Sequence, residues 1–92
     1  MVYINMRYTV ADYEKWRSVY DSNEATRRAA GSSGVNQVYR DADDPNTITL
    51  VMEWDNADNA RKFLDDPALR EQRMKAAGVI GAPAVRAIMT RA

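Results

Sequence analysis

The sequence predicts an α+β fold, the ferredoxin-like β-α-β-β-α-β sandwich with an antiparallel sheet, on three observations. Val2 to Tyr8 alternates apolar with polar side chains, the period-two mark of a half-buried strand. From Val10 the period changes to three and four, so that Tyr13, Trp16 and Tyr20 form one stripe on a helix. Thr47 to Asp55 is the longest β-favouring run, and it leads directly into the longest helical pattern.

Each element has its own signals. In the first strand Val2, Ile4, Met6 and Tyr8 share one face, with Tyr3, Asn5 and Arg7 on the other. The first helix is expected from about Ala11 to Ala30, with Asp12 and Glu14 in its first turn and Arg27 and Arg28 in its last, matching the helix dipole. Gly31-Ser32-Ser33-Gly34 is read as its stop. Val35 to Arg40 follows as a short, weakly alternating edge strand, and the polar turn Asp41 to Asn46 makes a hairpin into Thr47. That third strand puts Ile48, Leu50, Met52 and Trp54 on one face and Thr47, Thr49, Val51 and Glu53 on the other.

Asp55 or Asn56 caps the next helix, whose apolar stripe is Ala60, Phe63 and Leu64. A residue before proline avoids the helical region, so a break is expected near Asp65-Asp66. Pro67 then restarts a second segment, through Leu69, Met74 and Ala77, that Gly78 ends. The last strand centres on Ala84 to Met89, and Pro83 at its start marks it as an edge. With right-handed crossovers this order leaves strands one and three central. Two helices cover one face of such a sheet, so the other face must be solvated, filled or packed on another chain. Its central side chains, Tyr3, Asn5, Arg7, Thr49, Val51 and Glu53, are too aromatic for a wet face and too polar for an ordinary core. A homodimer through the exposed sheet face is therefore expected.

Composition narrows the function. The 92 residues are expected to form one domain, residues 1–92, and a chain of this size buries only about 60–65% of its unfolded surface, so association would help it. Lys plus Arg and Asp plus Glu both number 13, which gives no basic surplus for phosphates, and no nucleic acid is expected as partner. Read on its own, Arg27-Arg28 is a solvated helix end. No apolar run approaches the roughly 18 residues of a membrane span, so no membrane partner is expected. The N-terminus lacks a basic leader and a cleavage site, so a cytoplasmic location is expected. The chain has neither cysteine nor histidine, which removes thiolate chemistry, the commonest general base and the commonest transition-metal ligand. Asp43-Asp44 and Asp65-Asp66 lie in a turn and before a proline, where carboxylates are solvated, so no metal is expected. Neither glycine-flanked loop carries the lysine of a phosphate cradle, so no nucleotide is implied, and no cofactor is expected.

The segments Val10 to Asp21, Met52 to Asp55 leading to Ala60-Arg61-Lys62-Phe63-Leu64, Asp66 to Arg70 and Met74 to Val79 together resemble the stand-alone antibiotic-biosynthesis-monooxygenase-like proteins of the dimeric α/β-barrel superfamily, some of them called cyclases. The resemblance covers nearly the whole chain and is moderately specific for the family but poorly specific for chemistry. It implies a pocket in each subunit between helices and sheet, and a dimer made through the open sheet face. It also implies that an asparagine on strand one and a tryptophan near the end of strand three line that pocket, and Asn5 and Trp54 stand at comparable places. Haem-degrading relatives bind iron through a histidine, which this chain lacks.

The candidate binding residues are thus Trp54, Trp16, Tyr13, Tyr20 and Asn5, and no catalytic residue is identifiable. The Tyr13–Trp16–Tyr20 stripe is either core or a wall that stacks a flat ligand. Trp54 either caps a pocket or fills the space beneath the helices. Asn5 either orients a ligand or bonds across a dimer interface, and parity sends it and Trp54 to opposite faces. Antiparallel pairing places Glu53 near Tyr3, as an interface group or a base with raised pKa. The expected function is binding of a small apolar or aromatic molecule in a helix–sheet pocket, with cofactor-independent oxygenation or cyclisation as the enzymatic form and a non-catalytic ligand-binding or structural dimer as the alternative.

Overall fold

A computed structural model describes residues 1–92, the side chains of Arg73 and Met74 excepted. The expected place of Met74 on the apolar stripe therefore lies outside the described residues. The elements are β1 (Val2–Val10), α1 (Tyr13–Ser22), α2 (Glu24–Ala30), β2 (Ser32–Arg40), β3 (Thr47–Trp54), α3 (Ala57–Asp65), α4 (Pro67–Ala76) and β4 (Val79–Met89). The sheet is antiparallel with order β2-β3-β1-β4, so the central and edge strands stand where expected.

Parity holds along the two central strands. β1 pairs with β3 without interruption from Val2 opposite Trp54 to Thr9 opposite Thr47. Val2, Ile4, Met6, Tyr8 and Val10 are buried alternately with half-buried neighbours, as are Ile48, Leu50, Met52 and Trp54 on β3. These two rows and Trp16, Ala60, Phe63, Leu64 and Ala77 form the core beneath the helices. Burying each large side chain here contributes about 1.5–3 kcal/mol.

The expected helix over 11–30 is two helices. The Ser22 hydroxyl donates to the Val19 carbonyl at 2.7 Å and the Asn23 N–H to the Tyr20 carbonyl at 3.2 Å, local bonds that compete with the regular ladder. Asn23 sits at φ −97°, ψ 11°, and the chain bends there before α2 begins. Asp12 is the N-cap of α1 rather than part of its first turn, accepting from the Glu14 N–H at 2.9 Å. Gly31 alone makes the stop expected of residues 31–34: its φ of 127° is closed to side chains, and an added Cβ would lie 2.8 Å from Trp54 Nε1. Ser32, Ser33 and Gly34 already belong to β2, which is irregular between Ser32 and Asn36.

The break before Pro67 falls as expected. Asp66 is extended at ψ 115°, and its carboxylate accepts from the N–H groups of Ala68 and Leu69 at 2.9 and 3.1 Å, capping α4. β4 is longer than the expected 84–89. Val79 and Ile80 already pair with Val10 and Thr9, and the register then slips across Gly81 to Pro83 before Val85 pairs with Arg7. Proline has no N–H to donate, so the slip places it where the ladder is interrupted.

Candidate functional site

The helix-facing rows of β1 and β3 form the floor of a small cavity of about 50 Å³, with Met6, Tyr8, Leu50 and Met52 below. α1 and α2 supply Trp16, Tyr20 and Arg27, and α3 and α4 supply Phe63, Leu69 and Gln72. Met6 and Tyr8 also line a wider groove of about 400 Å³, which continues outward past Leu64, Arg70 and Arg86 to Pro83. The slip in β4 places Gly81 to Pro83 at the mouth of this groove, where a regular strand would leave less room.

The aromatic stripe is a stack. Trp16 and Tyr20 lie with ring centroids 5.0 Å apart and planes 21° from parallel, and Tyr8 meets Trp16 edge-on at 6.2 Å. The Trp16 indole N–H donates to the Tyr8 hydroxyl oxygen at 2.8 Å, which orients both rings across the helix–sheet gap. Tyr13 extends the stack outward, 5.8 Å from Trp16, and carries the Arg40 guanidinium 3.8 Å above its ring; it is not part of the cavity wall.

Asn23, Thr26 and Gln72 add polar groups to the lining, and two further ones, of Arg27 and Tyr20, are buried without a partner. Arg27 is only 5% exposed, its guanidinium 3.8 Å over the Tyr20 ring and its Nη1 donating to the Tyr20 carbonyl at 2.5 Å. Arg27 Nε and the Tyr20 hydroxyl are both shut off from solvent and have no hydrogen-bond partner. Burial pushes the Tyr20 phenol above its ordinary 10.0, with the Arg27 and Arg17 cations opposing, so the group is a neutral donor at neutral pH.

The other candidates lie elsewhere. Trp54 is fully buried between helices and sheet, 4.7 Å from the Phe63 ring, with its indole N–H on the Ala30 carbonyl at 3.1 Å. It is not among the cavity walls; its neighbour Phe63 is. Asn5 lies half-buried on the open face, opposite Val51 and Ala87, and its Oδ1 has no partner. Asn5 and Trp54 are therefore on opposite sides of the sheet. Glu53 stands opposite Tyr3 on that same open face.

Arg27 is the residue that sequence reasoning placed differently, as part of a solvated helix end. Arg28 fits that description, exposed and paired with Glu24 at 3.2 Å, whereas Arg27 turns inward. A signal was present: Arg27 stands seven residues beyond Tyr20, on the continuation of the aromatic stripe, and a cation on an apolar stripe is anomalous.

No protein-family model and no curated protein matches the sequence. Solved structures do match over their full length. A Bordetella bronchiseptica protein named as a candidate antibiotic biosynthesis monooxygenase superimposes with a TM-score of 0.75 at 17% identity, covering 99% of this chain and 96% of that one. SnoaB, a cofactor-independent oxygenase from Streptomyces nogalater, gives 0.74 at 18% identity, over 99% and 92%. A Mycobacterium tuberculosis protein gives 0.66 at 15%, over 99% and 94%. The resemblance drawn from the sequence and the structural neighbours agree, and at these identities what they establish is architecture: the chain has the ferredoxin-like fold of the antibiotic-biosynthesis-monooxygenase-like proteins.

Proposed function

We propose that this protein is a homodimer, built through the open sheet face, whose helix–sheet cavity and groove bind a small aromatic molecule and position it for cofactor-independent oxygenation. The observation that carries this reading is the Trp16–Tyr20 stack forming a wall of the apolar cavity, continuous with the groove past Met6 and Tyr8. A groove of about 400 Å³ is within the range of small-molecule sites, roughly 300–1,000 Å³. The body of the ligand lies in the groove and its leading edge reaches the inner cavity. In such a reaction the substrate supplies all the electrons: an activated methylene and O₂ become a carbonyl and water, and the protein contributes positioning and exclusion of bulk water. Likeness of fold to SnoaB makes this class worth testing first.

For the dimer, the support is the open face itself. Tyr39, opposite Thr49, and Ile80, opposite Thr9, are 53% and 56% exposed there, and the unpartnered Asn5 Oδ1 sits near its centre among the half-buried side chains of β1 and β3. One observation favours a second reading, a non-catalytic binding protein. Among the described residues no carboxylate lines the cavity, and the Tyr20 phenol, which burial keeps neutral, is not a base at neutral pH. Oxygen consumption with anthrone and quinol substrates decides between the two. Turnover that is lost in Trp16→Ala, with the circular dichroism spectrum retained, supports the oxygenase; saturable quenching of tryptophan fluorescence without turnover supports binding alone. Absence of both would overturn the site.

A further inference from the structure

The two unpartnered donors identify what the ligand carries. We infer that Arg27 and Tyr20 form a receptor for one ionised hydroxyl oxygen, a phenolate or enolate, on the aromatic ligand; the inference rests on the proposed binding function of the cavity.

Arginine cannot lose its proton in a protein, so Arg27 is a buried cation. Buried charges are normally paired, because an unpaired one gives up its hydration for nothing of equal strength. Among the described residues the ion pairs engage Arg7, Arg17, Arg28, Arg61, Lys75 and Arg86, and no carboxylate reaches Arg27. Its bond to the Tyr20 carbonyl ties α2 to the C-terminal end of α1 and accounts for Nη1. It does not account for Nε, or for the charge. The Tyr20 hydroxyl is likewise without an acceptor, and burial holds it in the donating form. Apart from Tyr8 and the uncharged Asn23, Thr26 and Gln72, the remaining lining among the described residues is apolar and holds no anion, so the field of the Arg27 cation is weakly screened and favours an anion.

The arrangement of donors also selects the type of anion. A carboxylate is best held by two parallel N–H groups of one guanidinium face. Here Nη1 donates to the Tyr20 carbonyl, and the two donors left without a partner, Arg27 Nε and the Tyr20 hydroxyl, belong to different residues and suit one shared oxygen. The ring that bears this oxygen would extend past Met6 and Tyr8 into the wider groove.

The test uses 4-nitrophenol, whose phenolate absorbs visible light, with nitrobenzene as its neutral counterpart. In the wild-type protein the ionisation of bound 4-nitrophenol should move down by roughly 1–3 pH units from its value in free solution, the effect of an opposite charge at close range. In Arg27→Gln most of that displacement should vanish while nitrobenzene binds as before. Tyr20→Phe, which keeps the ring stack, should lose about 10-fold or more in affinity for the phenolate and nothing for nitrobenzene. Binding of 4-nitrophenol with an undisplaced ionisation overturns the inference, as does a displacement that persists in Arg27→Gln, which would assign it to Arg70 or Arg86 of the groove. Tighter binding of 4-nitrobenzoate than of 4-nitrophenolate overturns the choice of oxygen. If nitrobenzene binds and the phenolate is not favoured, only the receptor falls; if neither compound binds, the cavity reading falls with it. Should Arg27→Gln fail to fold, the wild-type displacement and the Tyr20→Phe variant still decide.

Discussion

Removing the hydroxyl of Tyr20 should make the free protein more stable. A hydroxyl enclosed without a partner costs about 1–3 kcal/mol relative to one in water, and Tyr20→Phe removes that cost while leaving the ring stacked on Trp16 at 5.0 Å and beneath the Arg27 guanidinium at 3.8 Å. Tyr20 is only partly buried as a residue, so a gain near the lower end, about 1 kcal/mol, is expected. For a domain of this length that raises Tm by roughly 4–8 °C. Urea unfolding followed by tryptophan fluorescence measures it, with an unchanged m-value showing that the same surface is exposed on unfolding. The difference should also depend on pH. The folded-state pKa of Tyr20 lies above 10.0, so its contribution is constant below pH 10 and is lost as pH rises from there through the higher folded value, since only the unfolded chain readily forms the phenolate. The advantage of Tyr20→Phe should therefore widen above pH 10. A variant less stable than wild type by about 1 kcal/mol would refute the reasoning, because the hydroxyl would then have an acceptor in the free protein.

Other parts of the chain make equally definite predictions. Gly31→Ala combines a φ of 127° with a Cβ 2.5 Å from Asp55 Oδ1 and should cost at least 1–3 kcal/mol, roughly the strain alone, in chemical denaturation. A loss below about 0.5 kcal/mol would show that the turn is free to rearrange. Asp12→Ala removes the side chain that accepts from the Glu14 N–H and should cost about 1 kcal/mol, whereas Asp12→Asn should retain most of it. Val51→Lys places a cation at the middle of the open face, beside Asn5, and should convert the proposed dimer to monomer in multi-angle light scattering at micromolar concentration. Persistence of the dimer would move the interface to another surface.

The central strands were legible because their side chains state which face is buried. Ile4, Met6, Ile48, Leu50 and Met52 alternate strictly, and parity alone separated Trp54 from Asn5. The break at Asp66 was legible because the proline rule is local. The break at Asn23 was not. Neither serine nor asparagine forbids a helix, and the bend is made by local bonds to the Val19 and Tyr20 carbonyls that compete with the regular ladder and that these residue types permit without requiring. The early starts of β2 and β4 were hidden because pairing with a central strand recruits Ser32, which has little strand character of its own, and Val79-Ile80, a β-branched pair isolated between Gly78 and Gly81.

The candidate site divides along the same line. By itself the sequence determined the α+β order, the strand faces and an aromatic stripe on the first helical segment, all of which follow from periodicity and from residues that act on their neighbours. Only the tertiary structure decided that Trp16 and Tyr20 face a cavity while Trp54 is packed behind Phe63, and that Arg27 is a buried cation rather than a solvated helix end. The direction of a long side chain is set by which surfaces close around it. For Arg27 that was settled by the bend at Asn23, which turns α2 so that the guanidinium lies over the Tyr20 ring instead of in water.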